Sequence, residues 1–423
     1  MERKILKIWF FLLGIGVSLA LPSLGGVQHF TTVIIRGEKL SPLLGKPISS
    51  LLLCRYEGGR FFPVTLQVDE RDDEGKLLLG GSEKAGFLRP NDELIFLLEE
   101  GGKRAPASAL SSLCSPVFEL KVRGRYFYLF PSLSSSQREV KKVISSYARG
   151  NFFFVRTPSY SAALAKDRYF LVELAFPSGR NILDRSKIRI KARLKWWFFY
   201  PLAIKPMVKT EGDIAFQTRG IRRGPLRITV VGKPELKVVG RKVPSGEVEI
   251  GFYPEGIVFP IVVSSPIRLA RYCSSASFRT SLDFASSASG MEIYLPGGYH
   301  GIADGKMEPG EKDFPHCKTN FVLLSGEKGV LLFFIRPERR AKMLPHSFYF
   351  ADDGKKRKLP EGEPGSFPEL GFSFDILKAE PGEYILYQYL YFFPPKTKIS
   401  EISPPLFPER SLGQEAKIRF FSP

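Results

Sequence analysis

The chain has 423 residues, 43% of them hydrophobic, and its 62 Lys plus Arg against 43 Asp plus Glu give a formal charge of +19. That length supports two or three domains with real cores, and that composition excludes a disordered or collagen-like chain. The cation surplus favours polyanionic partners.

The first segment reads as a leader. "MERKILK" is basic, "IWFFLLGIGVSLAL" is a short apolar run, and small residues follow in "PSLGG". Residues 1–25 are expected to be a signal peptide cut near Ala20 or Gly25, because the apolar run is short of a membrane span. The mature chain is then periplasmic or extracellular, with no transmembrane span. Polyanions in that compartment are acidic polysaccharides and envelope components; no nucleic acid partner is expected.

Residues 27–131 read as a small antiparallel β-sandwich, from strand-like runs such as "HFTTVII", "SSLLLCRY", "FFPVTLQVD", "DELIFLLEE" and "RYFYLFPS". Two acidic clusters fall at strand ends. An EF-type calcium loop wants oxygen ligands at alternate positions and Gly at the sixth. Here Arg71 takes the third position and Glu74 the sixth, so that pattern fails. A different cluster of Asp69, Asp72, Asp73 and Asp92 is the candidate calcium site, with turn residues at strand ends as the plainer reading. No other cofactor is expected.

Residues 132–150 predict a connecting helix. Val140, Val143, Ile144 and Tyr147 fall at helical spacing, Ser134 to Ser136 supply caps, and Gly150 supplies a stop. Residues 151–394 predict a large two-sheet sandwich, and 395–423 a Pro-rich tail. In "KIRIKARLKWW", Ile188, Ile190, Ala192, Leu194 and Trp196 alternate with Lys187, Arg189, Lys191, Arg193 and Lys195. The cationic face predicts a polyanion-binding stripe, or a charged strand protected from edge pairing. Arg219, Arg222, Arg223 and Arg227 follow close by.

Four cysteines in an exported chain suggest two disulfides, and pairing within modules favours Cys54–Cys114 and Cys273–Cys317. No C-x-x-C spacing is present, which argues against a zinc ribbon. "GGYHGIADGKMEPGEKDFPHCKTN" gathers Tyr299, His300, Asp304 and His316 beside Cys317. His300, Asp304 and His316 suit a metal. Tyr299 or His300 suits a general base of a lyase acting on an acidic glycan. A turn-rich hairpin connection is the plainer reading of the same loop. The sequence shows neither G-x-S-x-G nor a phosphate-binding glycine loop.

"FFPVTLQVDERDDEG…PNDELIFLLEEGG" resembles the small β-module that precedes a β-supersandwich domain in exported, carbohydrate-related proteins. "RGIRRGPLRITVVG" resembles the "GPLR" strand of supersandwich domains. The chain is similar to exported bacterial β-sandwich proteins of this architecture, the fold of mutarotase-like proteins and many polysaccharide lyases. The resemblance implies an all-β fold: a small N-terminal sandwich, one short helix and a large supersandwich-like two-sheet domain. It carries no catalytic set onto these residues. The expected function is non-catalytic recognition of an acidic glycan or another surface polyanion. The alternative is a lyase-like enzyme using the Tyr299–His316 loop.

Overall fold

The computed structural model describes residues 32–421, except 81–85, 112, 114–115, 132–140, 178, 196–205, 239–240, 244–245, 266, 354–366 and 398–416. The leader lies outside the described residues.

The first module is the expected small sandwich. Thr32–Arg36 and Gln67–Asp69 flank Glu93–Leu97 in a three-stranded antiparallel sheet. The second sheet runs Lys417–Phe421, Val117–Val122, Arg125–Phe130, Leu52–Glu57, Arg60–Pro63. Side chains alternate across a strand, so Val33, Ile35, Leu94 and Phe96 point into the module's own core. Ile34, Ile95 and Leu97 point out of it and pack on the large module. The chain thus buries both faces of its three-stranded sheet. Lys417–Phe421 was unforeseen: the end of the expected tail returns to the first module and pairs with Val117–Val122.

The large module is two facing antiparallel sheets. The ten-stranded sheet runs Ile214–Arg223, Ile228–Val238, Val248–Tyr253, Gly256–Ser265, Gly382–Phe393, Gly329–Glu338, Phe321–Gly326, Glu292–Tyr294, His300–Ile302, with Arg241–Val243 paired beside Ile228–Val238. The five-stranded sheet runs Met207–Thr210, Leu183–Leu194, Cys273–Phe284, Glu369–Asp375, His346–Ala351. Ile250, Phe259 and Phe333 from the first sheet meet Ile188, Leu282 and Phe372 from the second in one core. A four-stranded sheet, Ser145–Arg149 to Leu171–Ala175, adds Phe153, Val155 and Leu171 to that core. The protein is all-β, as expected. No described helix is long and apolar enough to cross a membrane.

Two expectations are corrected. The connecting helix is not formed over its described part: Ser145–Arg149 is a strand paired with Phe152–Arg156. Tyr147 stacks on Phe154 with ring centroids 4.9 Å apart, and Gly150, at φ +56, is the hairpin turn. Residues 132–140 of that segment lie outside the described residues. Nor is either expected disulfide formed among the described residues. Cys54, Cys273 and Cys317 are free, buried thiols, and Cys114 lies outside the described residues. Cys317 Sγ donates instead to the Pro296 carbonyl at 3.3 Å. Burial pushes the Cys54 thiol up to about 12, so it stays protonated and inert.

Candidate functional site

The two stretches that carried the resemblance are bound to each other. "QVD", residues 67–69, is an edge strand of the first module, and "GPLR", residues 224–227, is a turn entering the ten-stranded sheet. Gln67 Nε2 donates to Asp69 at 2.8 Å and to the Arg227 carbonyl at 3.1 Å. Its Oε1 accepts from the Leu226 and Arg227 N–H groups at 2.9 and 2.8 Å. Such an approach needs a bare backbone. A Cβ on Gly224 would lie 2.0 Å from Gln67 Cδ, so Gly is required there.

Arg227 extends this clasp into a row of alternating charge. It donates to Asp69 through Nε at 2.8 Å and Nη2 at 2.5 Å, and to Glu93 at 2.6 Å. Arg71 donates to Glu93 at 3.1 Å, and to Glu249 of the large module at 2.9 Å through each of two nitrogens. Burial alone would push Glu93 up. The Arg227 and Arg71 charges overcome it and bring the carboxyl down to about 2. Glu93 is therefore ionised at neutral pH and cannot act as a general acid there. Thr32 adds a second tie, donating to Glu255 through N at 2.9 Å and Oγ1 at 3.1 Å.

Beside this lattice the two modules wall a cleft of about 800 Å³. Its polar rim includes Arg71, Asn91 and Glu93 from the first module. Its floor is the outer face of the ten-stranded sheet, with Thr229, Glu249, Tyr253 and Tyr387. Arg227 lies 5.8 Å from the Tyr253 ring centre and Arg336 lies 5.3 Å from that of Tyr387. The volume lies in the range of small-ligand pockets. The cleft combines the half-buried Tyr387 ring, available for stacking, with charged groups held in fixed planes for hydrogen bonding.

The Tyr299–His316 loop is pinned, though not by a disulfide. Glu311 is buried and accepts from the Ile302 and Glu308 N–H groups at 3.1 and 2.9 Å. Asp352 is buried and accepts from the Asp304 N–H at 3.0 Å. The structure does not converge the predicted site residues. His300, Asp304 and His316 are exposed, and Tyr299 lies edge-on to buried Phe314 with ring centroids 6.2 Å apart. None of them lines the cleft.

The cationic stripe is divided. Lys187 and Arg189 are buried, because their strand is central and neighbours supply carboxylates. Lys187 pairs with Asp283 and, at 3.4 Å, with Glu369; Arg189 pairs with Glu211. These two are internal ion pairs and not a surface for a ligand. Lys191 and Lys195 are half-buried and Arg193 is exposed. Lys195 Nζ donates to the Ala270 carbonyl at 2.7 Å. Trp196 lies outside the described residues. Arg219 is exposed, Arg222 lies 3.7 Å from Asp69, and Arg223 donates to Ser146 at 3.3 Å. Arg222 and Arg223 thus serve contacts within the protein.

The four acidic residues do not form a metal cage. Asp69 faces Arg227 and Gln67, and Asp92 accepts from the Arg71 and Arg89 N–H groups, each at 2.7 Å. Asp72 accepts from Glu74 and Lys76 N–H groups at 3.0 and 2.8 Å, the pattern of a turn residue, and Asp73 is exposed. Among the described residues no group of three or more His, Cys, Asp or Glu is placed to hold a metal. Sequence reasoning missed the roles of Gln67, Arg71, Arg227 and Glu249. The signal was present in Gln67 and Asp69 on one strand face and Arg227 directly after a Gly-Pro turn.

No protein family matches the chain, and no curated protein matches it in sequence. Among solved structures it is similar to a putative mutarotase, YeaD, from Salmonella typhimurium. That match has 6% identity and a TM-score of 0.30, covering 60% of this chain and 94% of the other. It is similar to an alpha-mannosidase from Enterococcus faecalis at 10% identity and a TM-score of 0.45, covering 93% of this chain and 45% of the other. It is also similar to a 4-alpha-glucanotransferase from Thermococcus litoralis at 10% identity and a TM-score of 0.29, covering 60% of this chain and 40% of the other. At these identities function rests on the chain's own residues.

Proposed function

We propose that this is an exported, non-catalytic protein that recognises a short saccharide in the cleft between its two modules. The leader supports export. One observation carries the binding reading: both modules contribute polar groups to a cleft of about 800 Å³ whose floor carries the half-buried Tyr387 ring, with Tyr253 buried beside it. A sugar ring offers an apolar C–H face for stacking and hydroxyls for planar Arg and carboxylate groups.

The cleft favours a neutral or amine-bearing saccharide over an acidic one. Arg71 and Arg227 are already matched by Glu93 and Glu249. The remaining lining charges are Arg36 and Lys39 against Glu38, Asp73, Glu74 and Glu247. An added carboxylate would face more repulsion than attraction. The acidic-glycan expectation therefore does not attach to this cleft. The lyase reading loses support, because its proposed base and ligands are dispersed over an exposed loop.

Isothermal titration calorimetry with neutral, glucosamine and galacturonate trisaccharides tests the reading. At least one neutral or glucosamine trisaccharide is expected to bind, and Tyr387→Ala is expected to weaken it about tenfold, the loss of one stacking contact. Binding by the galacturonate trisaccharide alone, or by none, rejects the proposal. Saccharide turnover by the wild-type chain rejects its non-catalytic part.

A further inference from the structure

We propose that the outer face of the hairpin formed by Ser145–Arg149 and Phe152–Arg156 is a docking surface for a carboxylated polysaccharide, a polymer of uronic acid units. The hairpin residues are not among those lining the cleft, so this surface is independent of the reading given to that site. Strand pairing brings two exposed rings and two exposed guanidinium groups to one face.

Phe153 and Val155 point into the core of the large module, so Phe152, Phe154 and Arg156 point away from it. Residues directly opposite in an antiparallel pair share a face. Arg149 stands opposite Phe152, Tyr147 opposite Phe154, and Ser145 opposite Arg156. Tyr147 and Phe152 are 40% and 39% exposed, and Arg149 and Arg156 are exposed beside them. These groups hold one another in place. Tyr147 and Phe154 stack at an interplanar angle of 7°. Phe152 meets Phe154 edge-on, with ring centroids 6.4 Å apart. The Arg156 guanidinium lies 5.3 Å from the centre of the Tyr147 ring and donates to the Tyr147 hydroxyl at 3.3 Å. The turn is tied as well. Lys166 Nζ donates to the Gly150 carbonyl at 2.7 Å, and Asn151 Nδ2 donates to Asp167 at 2.6 Å.

A solvent-facing hairpin needs no large rings to form, and exposed apolar groups rimmed by charge mark binding surfaces. The chemistry here is an aromatic ring beside a planar, permanently charged fork. A uronic acid carries the matching pair: an apolar C–H face for the ring and a carboxylate for the guanidinium. Arg149 and Arg156 are four positions apart in the pairing, about 13 Å along the hairpin. One carboxylate does not reach both, whereas a polymer with a carboxylate on every sugar does. Glu173 bounds the surface on its far side, opposite Ala163 and two strands beyond Phe154, roughly 10 Å away. Single-stranded nucleic acid also combines rings with anions. It is held by a row of open ring faces, and Tyr147 and Phe154 each turn one face to the other. The expected leader also directs the chain to a compartment of polysaccharides.

The test is surface plasmon resonance with full-length protein over immobilised polygalacturonate, its methyl ester and single-stranded DNA. Wild type is compared with an Arg149→Ser, Arg156→Ser double variant, with Phe152→Ala, and with an Arg60→Ser, Lys328→Ser control. Arg60 and Lys328 are exposed at hairpin turns of other sheets, so the control removes the same charge elsewhere. Wild type is expected to bind polygalacturonate about tenfold or more tighter than the ester. The double arginine variant should lose about tenfold or more, Phe152→Ala about threefold or more, and the control less than about twofold. Phe152→Ala changes no charge, so its loss reads the stacking ring alone. Equal losses in the double arginine variant and the control would show attraction by net charge and overturn the site. Equal binding to the ester, no binding to polygalacturonate at low salt, no loss in Phe152→Ala, or tighter binding to DNA would overturn it too. Far-ultraviolet circular dichroism checks that each variant is folded. Failure here leaves the trisaccharide titration at the cleft unaffected.

Discussion

Replacing Arg227 with Met should separate the energetics of the inter-module clasp from the rest of the fold. Arg227 is buried and holds Asp69 at 2.5 Å and Glu93 at 2.6 Å. Removing it leaves two buried carboxylates without their shared cation. Breaking a buried ion pair on one side costs about 3–5 kcal/mol. The titration of Glu93 gives an independent magnitude. Its carboxyl falls from an ordinary 4.5 to about 2 in the folded protein. At 1.36 kcal/mol per pH unit, that corresponds to roughly 3 kcal/mol for the whole set of Arg contacts. A lowered carboxyl pKa stabilises the folded state fully above about pH 4.5. That contribution is lost as pH falls toward about 2. Urea unfolding followed by circular dichroism, at pH 7 and pH 3, reads both quantities. Arg227→Met should lower stability by about 3–5 kcal/mol at pH 7 and lose less on going to pH 3 than the wild type does. A variant within about 1 kcal/mol of wild type at pH 7, with an unchanged pH dependence, would refute the clasp as a major tie between modules.

Gly224→Ala should destabilise by about 1–3 kcal/mol in the same assay, because its Cβ displaces Gln67, whereas Gly310→Ala, where a Cβ meets nothing within 4 Å, should cost far less. Asp352 should give the opposite pH trend to Glu93. Burial, with the charges of Glu311 and Asp304, pushes its carboxyl up to about 6 against backbone donors. The neutral form is favoured, so its stabilisation is present below about pH 4 and lost as pH rises through about 6. Asp352→Asn should therefore match wild type near pH 4 and exceed it by about 1–3 kcal/mol above pH 6, measured by urea unfolding. Thiol titration of unreduced, unfolded protein should find Cys54, Cys273 and Cys317 free, and reducing agent should leave the thermal midpoint unchanged; a drop on reduction would reveal a disulfide.

Much of the architecture was legible because alternation reports facing. "KIRIKARL" put Ile188 and Ala192 into the core as read. Alternation does not report what lies over the other face, so it could not foresee Lys187 and Arg189 as buried ion pairs on a central strand. The failed helix has a related cause. Val143, Ile144 and Tyr147 fit a helical spacing, yet the same residues fit an extended turn followed by a strand. Pairing with Phe152–Arg156 decided between them. The site was least legible, because its parts lie far apart in the chain. Gln67 meets Arg227 and Arg71 meets Glu249, and no local pattern announces such pairs. The loop at Tyr299 to His316 drew attention because its polar residues are adjacent in sequence, which is not the same as convergent in space.

The central claim is that a saccharide occupies the cleft between the modules. Amide hydrogen exchange of the full chain, with and without the best-binding neutral or glucosamine trisaccharide, tests it most directly. The account predicts slower exchange in residues 36–39, 71–75, 247–253 and 385–387, which line opposite walls of the cleft. Protection confined to residues 299–316, or none despite binding, would contradict it.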